Sequence, residues 1–138
     1  MILKENVDIT SELSELLDEY HVESRQEMPF DFKKEHFSFG LYIDDKLIGG
    51  LTATFQLGEF FIPLLAVSKA ARRQGIGRRL MLAAEEKSKE LGAQHMLLTT
   101  FSYQGPDFYS KIGFEELTRI SDFPASGVDK IYFIKYFN

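Results

Sequence analysis

The stretch Glu59-Phe60-Phe61-Ile62-Pro63-Leu64-Leu65-Ala66-Val67, followed by Ser68-Lys69-Ala70-Ala71-Arg72-Arg73-Gln74-Gly75-Ile76-Gly77, decides the fold. Its first nine residues form a nearly continuous apolar run, which suits a buried central strand. Pro63 interrupts that reading, because proline cannot donate to a sheet ladder; a break in pairing or a bulge is expected there. A polar link then leads into two glycines, where a helix from Gly75 to Leu91 begins. Ile76, Leu80, Ala83, Ala84 and Lys87 trace one stripe along it, and Leu91-Gly92 ends it. A strand, a glycine turn and a helix start in that order make a physically sensible anion site. Free N–H groups point outward there and the macrodipole adds partial positive charge. Glycine lets a phosphate approach the backbone, and Arg72, Arg73, Arg78 and Arg79 surround it with cations. A plain turn, a solvated arginine face or a different phosphate ligand would explain the same residues. A Walker loop is excluded, since no Gly-Lys-Ser/Thr follows. A dinucleotide fingerprint fits poorly, since its third glycine position is Leu80.

Outward from this stretch, Asp8 to His21 reads as a helix with Leu13, Leu16, Leu17 and Tyr20 on one face and Thr10 or Ser11 as its cap. Val22 to Lys34, interrupted by Pro29, reads as a loop or a second short helix. Phe37–Ile43 and Leu47–Phe55 read as strands joined by a tight turn at Asp44-Asp45-Lys46. His95 to Thr100 is a further apolar strand, Gly105 to Lys111 a short helix, and Phe114–Ile120 and Lys130–Phe137 two closing strands. Helix, three strands, helix, strand, helix, two strands is a mixed α/β plan.

The 138 residues suit one domain, 1–138, with 44% hydrophobic and 27% charged residues. There is no cysteine, so disulfides, thiolate zinc sites and a cysteine nucleophile are excluded. The formal net charge of -5 argues against general nucleic-acid binding, though it is compatible with a cationic substrate. No run is long enough to span a membrane, and the start has no apolar core of a signal peptide, so a soluble cytoplasmic protein is expected. His21, His36 and His95 have no ligand spacing and imply no metal; His95 reads as structural.

Arg72, Gly75 and Gly77 match the Gln/Arg-x-x-Gly-x-Gly/Ala signature of the GCN5-related N-acetyltransferase (GNAT) superfamily. Asp107-Phe108-Tyr109-Ser110-Lys111-Ile112-Gly113-Phe114 resembles its "FYxKxGF" segment. Ser102-Tyr103-Gln104-Gly105-Pro106-Asp107 resembles a small bacterial branch of that superfamily. The resemblance covers about Phe37 to Phe137. It implies a mostly antiparallel sheet, flanked by helices, whose central strands splay apart to hold the pantetheine arm of acetyl-CoA. Cofactor contacts would come from Leu65, Ala66 and Val67, with Leu65 and Val67 offering backbone hydrogen bonds. Arg72 and the amides of Arg73, Gln74, Gly75, Ile76, Gly77 and Arg78 would cradle the pyrophosphate, with Phe108 alongside. Tyr109 would be the general acid facing the coenzyme sulfur; packing beside Phe108 in a core helix is the other reading.

The chain departs from the family at several positions. The glutamate that serves some members as base is Phe61 here. Glu59, two residues earlier on the same side of a regular strand, is the candidate base or else a surface carboxylate. Lys69 stands where a proline is frequent. Ser102, with Gln104 nearby, stands where an asparagine often holds the coenzyme. The implied reaction passes acetyl to an amine of a small-molecule or peptide acceptor, with no nucleic acid and no membrane involved. A coenzyme-binding regulatory module is the alternative, and nucleic-acid contact through the arginines is least favoured. The acceptor would be chosen by the first helix, by Val22 to Lys34 and by Ser121 to Asp129. Glu23, Glu27, Asp31 and Asp122 are able to attract an ammonium group. A homodimer is possible, with Ile131–Phe137 as a candidate edge strand.

Overall fold

The computed structural model describes residues 1–23 and 33–137. The chain divides into two compact units, Met1–Asp31 and Phe32–Asn138. The first holds helix α1 (Thr10–Glu23). The sequence suggests Thr10 or Ser11 as its cap. In the structure Asp8 Oδ1 accepts a hydrogen bond from the Thr10 amide at 3.2 Å, a local contact from a carboxylate two residues upstream. Most of the Val22 to Lys34 expectation, including Glu27, Pro29 and Asp31, lies outside the described residues.

The second unit is a six-stranded sheet with two helices. Its strands are β1 (Glu35–Ile43), β2 (Lys46–Gln56), β3 (Glu59–Val67), β4 (His95–Phe101), β5 (Glu115–Ile120) and β6 (Lys130–Tyr136), in the spatial order β1-β2-β3-β4-β6-β5. Helix α2 (Ile76–Glu90) connects β3 to β4, and α3 (Asp107–Lys111) follows β4. Among the described residues only β3 and β4 run parallel; every other pair is antiparallel. The β1–β2 hairpin turns on Asp44 and Asp45, both at positive φ, the left-handed geometry whose twist suits two-residue hairpins.

The sheet breaks at Pro63. On the β2 side, Thr52 pairs with Leu64 and Thr54 with Phe61, so Ala53 alone faces Ile62 and Pro63: a bulge. On the β4 side, the parallel ladder runs from Glu59↔His95 to Ile62↔Leu98 and goes no further. Beyond it Thr99, Thr100 and Phe101 keep their partners on β6, while Leu64 to Val67 keep theirs on β2. The central strands therefore splay apart toward their C-terminal ends.

One sheet face packs on α2. Phe60, Ile62, Met96, Leu98 and Ile131 are fully buried with Leu80 and Ala84 of the helix. The buried stripe of α2 is Leu80, Met81, Ala84 and Ser88; the expected Ala83 and Lys87 are only half-buried. The stripe is displaced because Ser88, whose hydroxyl donates to the Glu85 carbonyl at 2.8 Å, can enter the core fully satisfied. Gly49 on β2 sets how closely the helix start sits on the sheet. A Cβ there would lie 2.8 Å from Ile76 Cγ2. The expectation that the last strand is an edge is corrected. β6 lies between β4 and β5, with Ile131 and Phe133 buried, and β5, all of whose residues are exposed, forms that edge.

Candidate functional site

The splay opens into a cavity of about 860 Å³. Leu65, Ala66 and Val67 line one wall and Gln104, Phe108 and Tyr109 the other, and the turn before α2 closes one end. That turn is shaped by Gly75, at φ 75°, and by Arg73, at φ 64°. With glycine as the N-cap residue, no side chain caps the helix, and no acidic residue occupies its first turn. The first-turn amides thus keep their donors for a ligand. Arg72, Arg73 and Arg78 line the cavity around them. Cations at the positive end of a helix dipole destabilise it, by about 0.3–1 kcal/mol each when exposed. Their concentration here makes sense when an anion completes the site. Arg72 Nε also donates to the Val67 carbonyl at 3.2 Å, tying the turn to the strand end. At Gly77, a Cβ would lie 3.5 Å from Phe108 Cζ, so the missing side chain leaves the floor of the cavity open between helix and aromatic ring.

Tyr109 is 6% exposed and sits among Phe108, Phe114 and Phe133 at ring distances of 5.2, 6.2 and 5.5 Å. Burial pushes its phenol up to about 12, partly offset by a hydrogen bond with Thr100. The group is therefore neutral and able to donate throughout the physiological range.

Twelve of the residues singled out in the sequence line this cavity: Leu65, Ala66, Val67, Arg72, Arg73, Gly75, Ile76, Gly77, Arg78, Gln104, Phe108 and Tyr109. Three do not. The Gln74 side chain folds back, its Nε2 donating to the Ala70 carbonyl at 3.3 Å. Ser102 Oγ instead accepts the Asp129 amide at 3.0 Å. Glu59 stands at the far end of the four-pair ladder, its carboxylate 3.1 Å from His95 Nε2. It belongs to the sheet face opposite Phe60 and Ile62. Gln104 uses its Oε1 to accept from the Phe101 amide at 2.9 Å and from the Thr100 hydroxyl at 3.2 Å, which leaves its NH₂ end toward the cavity. Ala71, Tyr103 and Gly105 also line the cavity. Of these only Tyr103 carried a signal, as an aromatic residue in the polar loop before α3.

A sheet opened by a proline can accept an extended ligand where a strand would run, with its anionic end resting on the helix start. Such geometry defines an α/β protein with a split central sheet and an open, arginine-lined helix start beside the split. The chain belongs to the acetyltransferase (GNAT) family, whose sequence model matches residues 7–114. Blasticidin-S acetyltransferase of Streptomyces morookaense is 34% identical over 80 residues, 57% of this chain and 59% of that protein. The chain thus spans about six tenths of that relative. A crystal structure of an acetyltransferase from Bacillus cereus ATCC 14579 superposes with a TM-score of 0.78 at 27% identity, over 99% of this chain and 98% of that one. PaiA N-acetyltransferase from Thermoplasma acidophilum, solved with coenzyme A, shares the fold with a TM-score of 0.61 at 21% identity, over 90% and 70% of the two chains.

Proposed function

We propose that the chain transfers an acetyl group from acetyl-CoA to a primary amine. One observation carries this reading: the uncapped, arginine-lined start of α2 and the buried phenol of Tyr109 meet in a single cavity at the break in the sheet. The family match and the coenzyme A held by the Thermoplasma acidophilum protein support it.

The coenzyme supplies a thioester, an acetyl group activated toward attack. The chain's own residues bind and orient. Backbone groups of Leu65 and Val67 stand where they can pair with an extended arm, and the amides of Ile76, Gly77 and Arg78, with Arg72, Arg73 and Arg78, hold the phosphates. Tyr109 donates a hydrogen bond to the departing sulfur. With a pKa of about 12, against about 8.5 for an ordinary thiol, the phenol stabilises a thiolate without surrendering its proton. Solvent then supplies the proton that the sulfur takes up. Among the described residues no carboxylate lines the cavity, so the amine loses its proton to water. Glu59 serves to join β3 to β4 through His95.

Steady-state assays of CoA release with an amine panel test this. Tyr109→Phe is expected to lower kcat by roughly 10²-fold, the scale of losing one positioned donor, with acetyl-CoA affinity by calorimetry within about twofold. An unchanged kcat would remove the role given to the phenol. Tight acetyl-CoA binding without CoA release for any amine would instead make the chain a coenzyme-binding module.

A further inference from the structure

Tyr103 takes no part in the reading above, yet it lines the same cavity as Tyr109. The residue is 69% exposed, and its ring is held in place by stacking on Phe101, centroids 5.8 Å apart and planes 8° from parallel. An exposed aromatic ring that is already oriented loses little freedom when a ligand stacks on it. Its position in the sheet says which ligand. Thr100 is buried on the face that carries α2, so Phe101 projects from the reverse face, and Tyr103 stacks on it there. The phosphate cradle lies at the start of α2, on the helix face. A coenzyme arm lying in the split would leave the reverse face as the approach for the second substrate.

Beside the split, the reverse face is lined by small and apolar residues. Gly50, Thr52, Leu64 and Ala66 line a second cavity of about 440 Å³ there, across the break from Tyr103. Among the described residues neither cavity is lined by an aspartate or glutamate. The same face already holds a cation, since Lys130, paired with Phe101, lies 5.5 Å from the ring centroids of both Phe123 and Tyr132. Those two linings offer, among the described residues, no carboxylate to an aliphatic polycation, and Lys130 repels one; Glu59, further along the same face, is held by His95. The linings offer an apolar floor and a flat ring to a planar molecule.

We propose that Tyr103 determines acceptor specificity, stacking on the ring of a primary amine carried on a planar aromatic framework. This rests on the acetyl-transfer reading. The probes are tryptamine and n-hexylamine, at saturating acetyl-CoA, with the full chain and its Tyr103→Ala and Tyr103→Phe variants. Wild type is expected to favour tryptamine in kcat/KM. The tryptamine-to-hexylamine ratio should fall roughly three- to tenfold in Tyr103→Ala, as for loss of one stacked pair, and be kept in Tyr103→Phe. Acetyl-CoA affinity by calorimetry should be equal in all three. Equal turnover of both amines by wild type would overturn the proposal, as would an unchanged ratio in Tyr103→Ala. Weaker acetyl-CoA binding by Tyr103→Ala would overturn it too, giving the ring to the coenzyme's adenine. No acetyl-CoA binding, or no CoA release with either amine, would overturn the proposal by removing the reading beneath it, a result distinct from turnover without preference.

Discussion

Tyr109 shows how one buried side chain couples chemistry to stability. Its pKa of about 12 in the folded chain exceeds the ordinary 10.0 because burial disfavours the phenolate. The unfolded chain therefore releases this proton first as pH rises. Below about pH 10 both states are protonated and the contribution to stability is whole. Between about pH 10 and 12 it is lost, by about 3 kcal/mol in all for a shift of this size. Urea unfolding across that range is expected to show the fall in wild type, and a shallower one in Tyr109→Phe. Equal slopes in both would mean that the phenol is solvated in the folded state.

At the scale of the element, α2 is a helix whose start is arranged against its own stability. No acid occupies its first turn, glycine stands at its N-cap, and Arg78 faces the positive end of the dipole. Arg78→Glu should therefore raise the melting temperature of the ligand-free chain slightly, in keeping with about 0.3–1 kcal/mol per charge. It should also weaken acetyl-CoA binding at least tenfold, read by calorimetry. A lower melting temperature in the ligand-free variant would count against this account of the turn. Much of the element was legible in the sequence, because glycine spacing and a run of arginines are local signals. Pro63 likewise marked the break, since a missing donor is a property of one residue. Other features were not local. That Glu59 faces His95 depends on a register across 36 residues, and that β6 inserts between β4 and β5 depends on pairing order. Gly49 reads as an ordinary strand glycine until Ile76 is seen above it. Tyr103 gains meaning only through Phe101, two residues away but brought ring to ring.

Across the whole sheet, two antiparallel halves, β1-β2-β3 and β4-β6-β5, are joined by four parallel pairs. A ligand in the split would connect the halves a second time. Hydrogen exchange is expected to slow, on adding acetyl-CoA, at the Leu64 to Val67 amides that face the split and at the first turn of α2. The β5 edge should be unaffected. Protection at β5 alone would place the ligand elsewhere. The break at Pro63 also bears on how fast such a ligand arrives. Proline has no N–H with which to continue the ladder, so the opening exists whether or not anything fills it. No sheet pairing has to be undone before entry. The receptive form is then the ordinary form rather than a rare one, and affinity suffers no discount for populating it. Association is left to be governed by diffusion and by the field of the arginines at the mouth, which makes its rate sensitive to salt.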